Sequence, residues 1–159
     1  MDHHTHMNTA LRLAAIAATL DEIPVGAVIV KDTLLLGEGY NRNITTHDPS
    51  AHAEIVALRE ACTYYHNYRL TGATIYVTLE PCLMCYTALV HARIKTLVYG
   101  AEDPKTGFSH FLDAATLARL NHQIEVVPAV LAEQASAQIQ AFFREKRARG
   151  KRKWKREKE

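Results

Sequence analysis

Two fragments of the sequence carry residue types that bind metal and move protons: His52-Ala53-Glu54 and Pro81-Cys82-Leu83-Met84-Cys85. One His and two Cys make three ligands for zinc, which takes four in tetrahedral geometry. A structural zinc closes with a further Cys or His, whereas a catalytic one keeps a position open for water. Cys82 and Cys85 are three apart, so in a first helical turn they share a face. A helix N-terminus carries partial positive charge, which favours the thiolate form that binds metal. Zinc lowers the pKa of a bound water to about 7 and so supplies a nucleophile at neutral pH. Glu54 is expected beside that water rather than on the metal, taking its proton and passing it to the substrate. The chain is therefore expected to hold one zinc ion, on His52, Cys82 and Cys85.

Singly, each fragment has a plainer reading. His52 and Glu54 could form a helix-start capping pair, and the two cysteines could be small buried hydrophobes. Together, at two helix starts and with Pro81, they point to a metal site. Cys62 reads as a core thiol, and His91, His110 and His122 as structural or surface residues. His3, His4 and His6 read as part of a disordered terminus.

The elements that must hold these fragments are legible in outline. Ala10 to Leu20 reads as an amphipathic helix. Its Arg12, and the absence of a basic region before it, argue against a signal peptide. Val25 to Val30 is a short, unbroken apolar run, as in a strand covered on both faces. A turn at Lys31-Asp32-Thr33 leads into a second strand, Leu34 to Tyr40. A helix is expected from about Ala51 to Ala61, then a strand over Thr74 to Leu79. Pro81 opens a helix. Strands at Ile94 to Tyr99 and Gln123 to Val127 and a closing helix from Leu131 to about Arg149 complete the chain. Strands alternating with helices after an initial hairpin predict an α/β fold, a mixed sheet with helices on both faces.

With 159 residues, 48% hydrophobic and 23% charged, the chain is the size and composition of one globular domain. Residues 1–149 are expected to form it, with 150–159 a basic, flexible tail. Three cysteines are too few for a disulfide scaffold, and no apolar stretch reaches the roughly 18 residues of a membrane helix. A cytoplasmic protein is expected. The net charge of +2 hides an uneven distribution. Residues 144–159 contain ten Lys or Arg and three Glu, giving +7, against nine basic and fourteen acidic residues before them, giving −5. An acidic body with a basic end suggests a polyanionic partner.

His52-Ala-Glu54 with Pro81-Cys-x-x-Cys85 resembles the cytidine-deaminase-like zinc deaminases, whose motif and base-flipping chemistry are established. Further segments resemble the bacterial tRNA-specific adenosine deaminases. These are Pro24-Val-Gly-Ala-Val28, Gly39-Tyr-Asn41-Arg42, His52 to Leu58, Tyr68-Arg-Leu70, Thr78 to Cys85, His91-Ala-Arg-Ile94 and Gly100 to Gly107. The resemblance implies a three-layer α/β/α fold around a five-stranded mixed sheet. It implies hydrolytic deamination of adenosine to inosine at the wobble position of a tRNA anticodon, by a homodimer. It assigns Asn41 to contact with the flipped nucleoside, Asp103 and Lys105 to the groove for the anticodon stem-loop, and Phe142, Phe143 and Arg144 to the RNA-facing closing helix.

Tyr86 and the run Phe108-Ser109-His110 depart from the family's pattern, which has small residues at both places. Two rival functions remain open from sequence. One is deamination of a free nucleobase, nucleoside or nucleotide at the same zinc centre, which substrate comparison separates. The other is a non-catalytic, zinc-stabilised RNA-binding module, against which Glu54 argues, since a structural zinc needs no carboxylate there.

Overall fold

The structure is a computed structural model, which describes residues 2–159. Five strands form one sheet in the order β2-β1-β3-β4-β5. They are β1 (Gly26–Lys31), β2 (Leu34–Tyr40), β3 (Thr74–Leu79), β4 (Thr96–Ala101) and β5 (Glu125–Val127). β1 pairs antiparallel with β2 and β3, while β3, β4 and β5 run parallel. The sheet is mixed, as expected. Asp32 takes a left-handed φ of 56°, which lets two residues turn β1 into β2.

The helices are α1 (His3–Thr19), α2 (Ala53–Tyr65), α3 (Leu83–His91), α4 (Ala114–Ala118) and α5 (Ala132–Lys158). Side chains alternate along the strands and divide the core in two. Ala27, Ile29, Ile75, Val77 and Leu97 face α2 and α3, packing on Ala57, Leu58, Ala61 and Leu89. Val28, Val30, Tyr76 and Val98 face α1, packing on Met7, Ala10 and Leu13, and Ala135 of α5 joins Leu11 and Ala101 on that side. Both faces are covered, which is why β1 reads as a continuous apolar run. Burying one Val, Ile or Leu fully contributes about 1.5–3 kcal/mol.

Two expectations need correction. The terminal histidines are helical: Asp2 caps α1 by accepting from the His4 and Thr5 amides, and His3 Nδ1 lies 3.0 Å from the Tyr76 hydroxyl. α5 runs past its expected end near Arg149, so residues assigned to a flexible tail are helical to Lys158. Lys, Arg and Glu are good helix formers, and the i,i+4 pairs Arg149–Glu145 and Lys153–Glu157 add to them. α4 and a 3-10 turn at Phe108–His110 had no counterpart in the sequence reading.

Candidate active site

The site forms where the C-terminal end of β3 meets the N-termini of α2 and α3. Such crevices beyond strand ends are the usual ligand sites of open α/β sheets. Gly39 of β2 brings α2 close: a Cβ there would lie 2.6 Å from the Ala53 carbonyl oxygen. His52 and Cys82 are the N-cap residues of α2 and α3, and neither side chain caps its own helix. The capping reading of His52 therefore does not describe it. Its Nδ1 lies 3.6 Å from Cys82 Sγ and 3.4 Å from Cys85 Sγ.

These three donors converge within 4.8 Å of one another. Two ligands held at about 2.0–2.1 Å (nitrogen) and 2.3 Å (sulfur) by one tetrahedral ion stand roughly 3.5 Å apart. The separations fit a zinc ion. The Cys82 thiol is pulled down to about 4, first by the hydrogen bond with Cys85, against burial, and then by His52. Cys85, on the other side of that bond and buried, moves up.

Glu54, in the first turn of α2, is 4% exposed. Burial pushes its carboxyl up to about 7, and the nearby His52 opposes the shift. That value suits a group that gains and loses a proton at neutral pH. Glu54, His52 and Cys82 line a cavity of about 160 Å³, walled by Ile23, Val25 and Leu79 and edged by Asn41 and Asp103.

The structure separates the other expected site residues. Asn41 is buried, and its Oδ1 accepts from the Ala53 amide at 2.8 Å, so it supplies the cap that His52 does not. The residue also lines the cavity beside Glu54. Asp103 spends its carboxylate on its own loop, accepting from the Lys105 and Thr106 amides and the Thr106 hydroxyl. Lys105 and Phe143 line an adjoining groove of about 650 Å³ that none of His52, Cys82 and Cys85 reaches. Arg144 lines a further hollow of about 360 Å³ along α5. Phe142 lines none of these. It is buried, because it stands about 100° round the helix from Phe143, on the side of Ala135 that faces the body.

Sequence reasoning passed over two buried carboxylates. Glu80 accepts from the Asp103 amide and from the Ser109 amide and hydroxyl, fixing both ends of the loop that edges the cavity. Glu22 accepts from the Ile44 and Thr45 amides and the Thr45 hydroxyl, fixing the loop on the other side. An acidic residue between an apolar strand and Pro81 was the available signal for Glu80. Cys62, His110 and His122 lie away from the site: Cys62 Sγ is 3.7 Å from the Tyr68 carbonyl, His110 pairs with Glu102, and His122 contacts the Ile94 carbonyl.

The MafB19-like deaminase family model matches residues 1–147. A tRNA-specific adenosine deaminase of Haemophilus influenzae is 50% identical over 146 residues, covering 89% of this chain and 83% of the relative. The chain belongs to the tRNA-specific adenosine deaminase family. A solved structure from a study of A-to-I editing by tRNA deaminases at the wobble position is 37% identical, with a TM-score of 0.78. The match covers 84% of this chain and 98% of that one. A guanine deaminase of Bacillus subtilis shares the fold of this deaminase family more distantly. It is 32% identical with a TM-score of 0.63, over 91% of this chain and 95% of that one.

Proposed function

We propose that the chain is a zinc-dependent hydrolase converting adenosine to inosine at the wobble position of a tRNA anticodon, working as a cytoplasmic homodimer. One observation carries the reading. His52, Cys82 and Cys85 converge beside the buried Glu54 carboxylate, in a cavity that shares walls with a groove leading to basic α5.

His52 Nδ1 and the two Sγ atoms would hold one zinc ion, which supplies Lewis-acid activation of water at neutral pH. Glu54 takes one proton from the attacking water and delivers it to the ring nitrogen N1 as the water oxygen bonds to C6. It then carries the second proton, from that C6 hydroxyl, to the amine, and the C6–N bond breaks to release ammonia and leave the C6 carbonyl of inosine. Asn41, anchored through Oδ1, presents Nδ2 to the nucleoside. Ile23, Val25 and Leu79 exclude solvent around a single flipped base. Leu83 and Met84, 37% and 39% exposed at the start of α3, offer an apolar surface beside the site that supports a second subunit. Among the described residues no helix is long and apolar enough to cross a membrane.

The test compares a tRNA anticodon stem-loop with free adenosine, guanine and cytosine, together with inosine formation in a mixed tRNA pool. Inosine in the stem-loop and little turnover of free bases is expected. Faster deamination of guanine than of the stem-loop would overturn the substrate assignment.

A further inference from the structure

The second half of α5 sorts its charges by face. Arg144, Arg147, Lys151 and Lys155 follow one another three or four residues apart and fall on one stripe of the helix. Among the described residues none of the four has an ion-pair partner. Trp154 stands in the same stripe, 58% exposed, with Lys158 Nζ 4.5 Å from its ring centre. The opposite side is neutralised within the chain. Arg149 pairs with Asp21 and Glu145, Arg152 with Glu145, and Lys153 with Glu157.

The free stripe is continuous with the site. The cavity beside Glu54 and the larger groove share Ile23, Leu79, Asp103 and Thr106. That groove and the hollow beyond it share Ile139, Gln140 and Phe143, and the hollow ends at Arg144 and Arg147. From there the stripe continues for about 17 Å along the axis, counting from Arg144 to Lys155 at 1.5 Å per residue. The acidic body leaves few other places for a polyanion to run. Cations interleaved with an exposed aromatic are the composition of a surface that tracks a phosphate backbone and stacks on bases.

We propose that this stripe binds the phosphate backbone of the RNA as it leaves the catalytic cavity, and that the paired face of the same helix takes no part. The proposal rests on the RNA substrate proposed above. It extends the surface past Arg144 and Arg147 to Lys151, Trp154 and Lys155, which lie beyond residue 147, where the family match ends.

The test uses two full-length variants that each remove three positive charges. One is Arg147→Ala, Lys151→Ala, Lys155→Ala; the other is Arg149→Ala, Arg152→Ala, Lys153→Ala. Alanine is the best helix former, so both keep α5, and circular dichroism checks this. Affinity for the anticodon stem-loop is measured against salt concentration. Each lost single-strand phosphate contact lowers the slope of log K against log salt by about 0.7. The stripe variant is expected to lose about two units of slope and to bind at least roughly tenfold more weakly at 0.1 M salt. The paired-face variant should keep the wild-type slope and inosine yield. The chain has a single tryptophan, so saturating RNA should also quench the intrinsic tryptophan fluorescence of the wild type. Equal slopes for the two variants in an active wild type, or no fluorescence change, would overturn the stripe while leaving the function standing. A wild type that makes no inosine would remove both.

Discussion

The Tyr86 ring lies stacked on Phe108, with centroids 4.1 Å apart and 16° between the planes. The two departures from the family's small residues are therefore one contact. It joins α3, which carries Cys85, to the loop that edges the cavity. The Phe108 amide also donates to the Pro81 carbonyl at 2.9 Å, one residue before Cys82. A stacked pair contributes about 0.5–1.5 kcal/mol beyond its buried area. Phe108→Leu and Tyr86→Leu, singly and together, should give a coupling energy of that size in urea unfolding. Strict additivity would mean that the rings merely fill space independently.

Replacing Cys82 with alanine should abolish stoichiometric zinc, because two donors remain where tetrahedral binding needs at least three from the protein. Elemental analysis of the purified variant decides this, and full occupancy would remove Cys82 from the ligand set.

Glu54→Gln keeps the shape and hydrogen-bonding reach of the side chain while removing its proton chemistry. Zinc content and melting temperature should stay near wild type, and turnover should fall about 10²–10⁴-fold. A variant retaining half of wild-type kcat would take Glu54 out of the mechanism.

The loop carrying Lys105 depends on Glu80. A Cβ on Gly107 would come within 2.3–2.5 Å of its carboxylate carbon and oxygens. Gly107→Ala should push that carboxylate off the Asp103 and Ser109 amides and loosen the groove wall. KM for the stem-loop should rise several-fold more than kcat falls. Equal changes in both would place the damage at the chemistry instead.

Acid should release the other loop. Burial raises the Glu22 carboxyl, but hydrogen bonds from Thr45 and Ile44, with Arg42 nearby, outweigh it and hold the group below its ordinary 4.5. As pH falls, the unfolded chain takes up this proton before the folded one does. The stabilisation is complete above the ordinary value and is lost as pH falls through the lower folded one. Wild type should therefore be more stable than Glu22→Gln at pH 7, with the gap closing as pH falls below the ordinary 4.5 and through the lower folded value. A gap independent of pH would show that the charge is irrelevant.

The sheet was readable because β1 and β3 advertise burial in consecutive β-branched residues, and the metal motif because its residues cluster in two short fragments. What escaped the sequence depends on contacts remote along the chain. His3 is helical partly because it meets Tyr76, 73 residues away. Phe142 and Phe143 look alike in sequence, yet one step round α5 turns one inward and leaves the other at the groove. Glu80 looked like one more letter of a motif until its partners at Asp103 and Ser109 were in place.

Cys82 occupies the one position of α3 where serine, threonine or aspartate would offer an oxygen to a free amide of the first turn. Its thiol, a weak acceptor, makes no regular capping bond, although the Cys85 amide helps to hold its pKa down. The first amide of α2 has the Asn41 side-chain oxygen, whereas among the described residues the first turn of α3 has only sulfur. A well-chosen cap contributes about 0.5–2 kcal/mol. With chelator present, a Cys82→Asp or Cys82→Ser chain should outlast the native one on heating while being catalytically dead. A screen scored only by thermal endurance would thus replace this cysteine early, so stability and chemistry place opposite demands on one position.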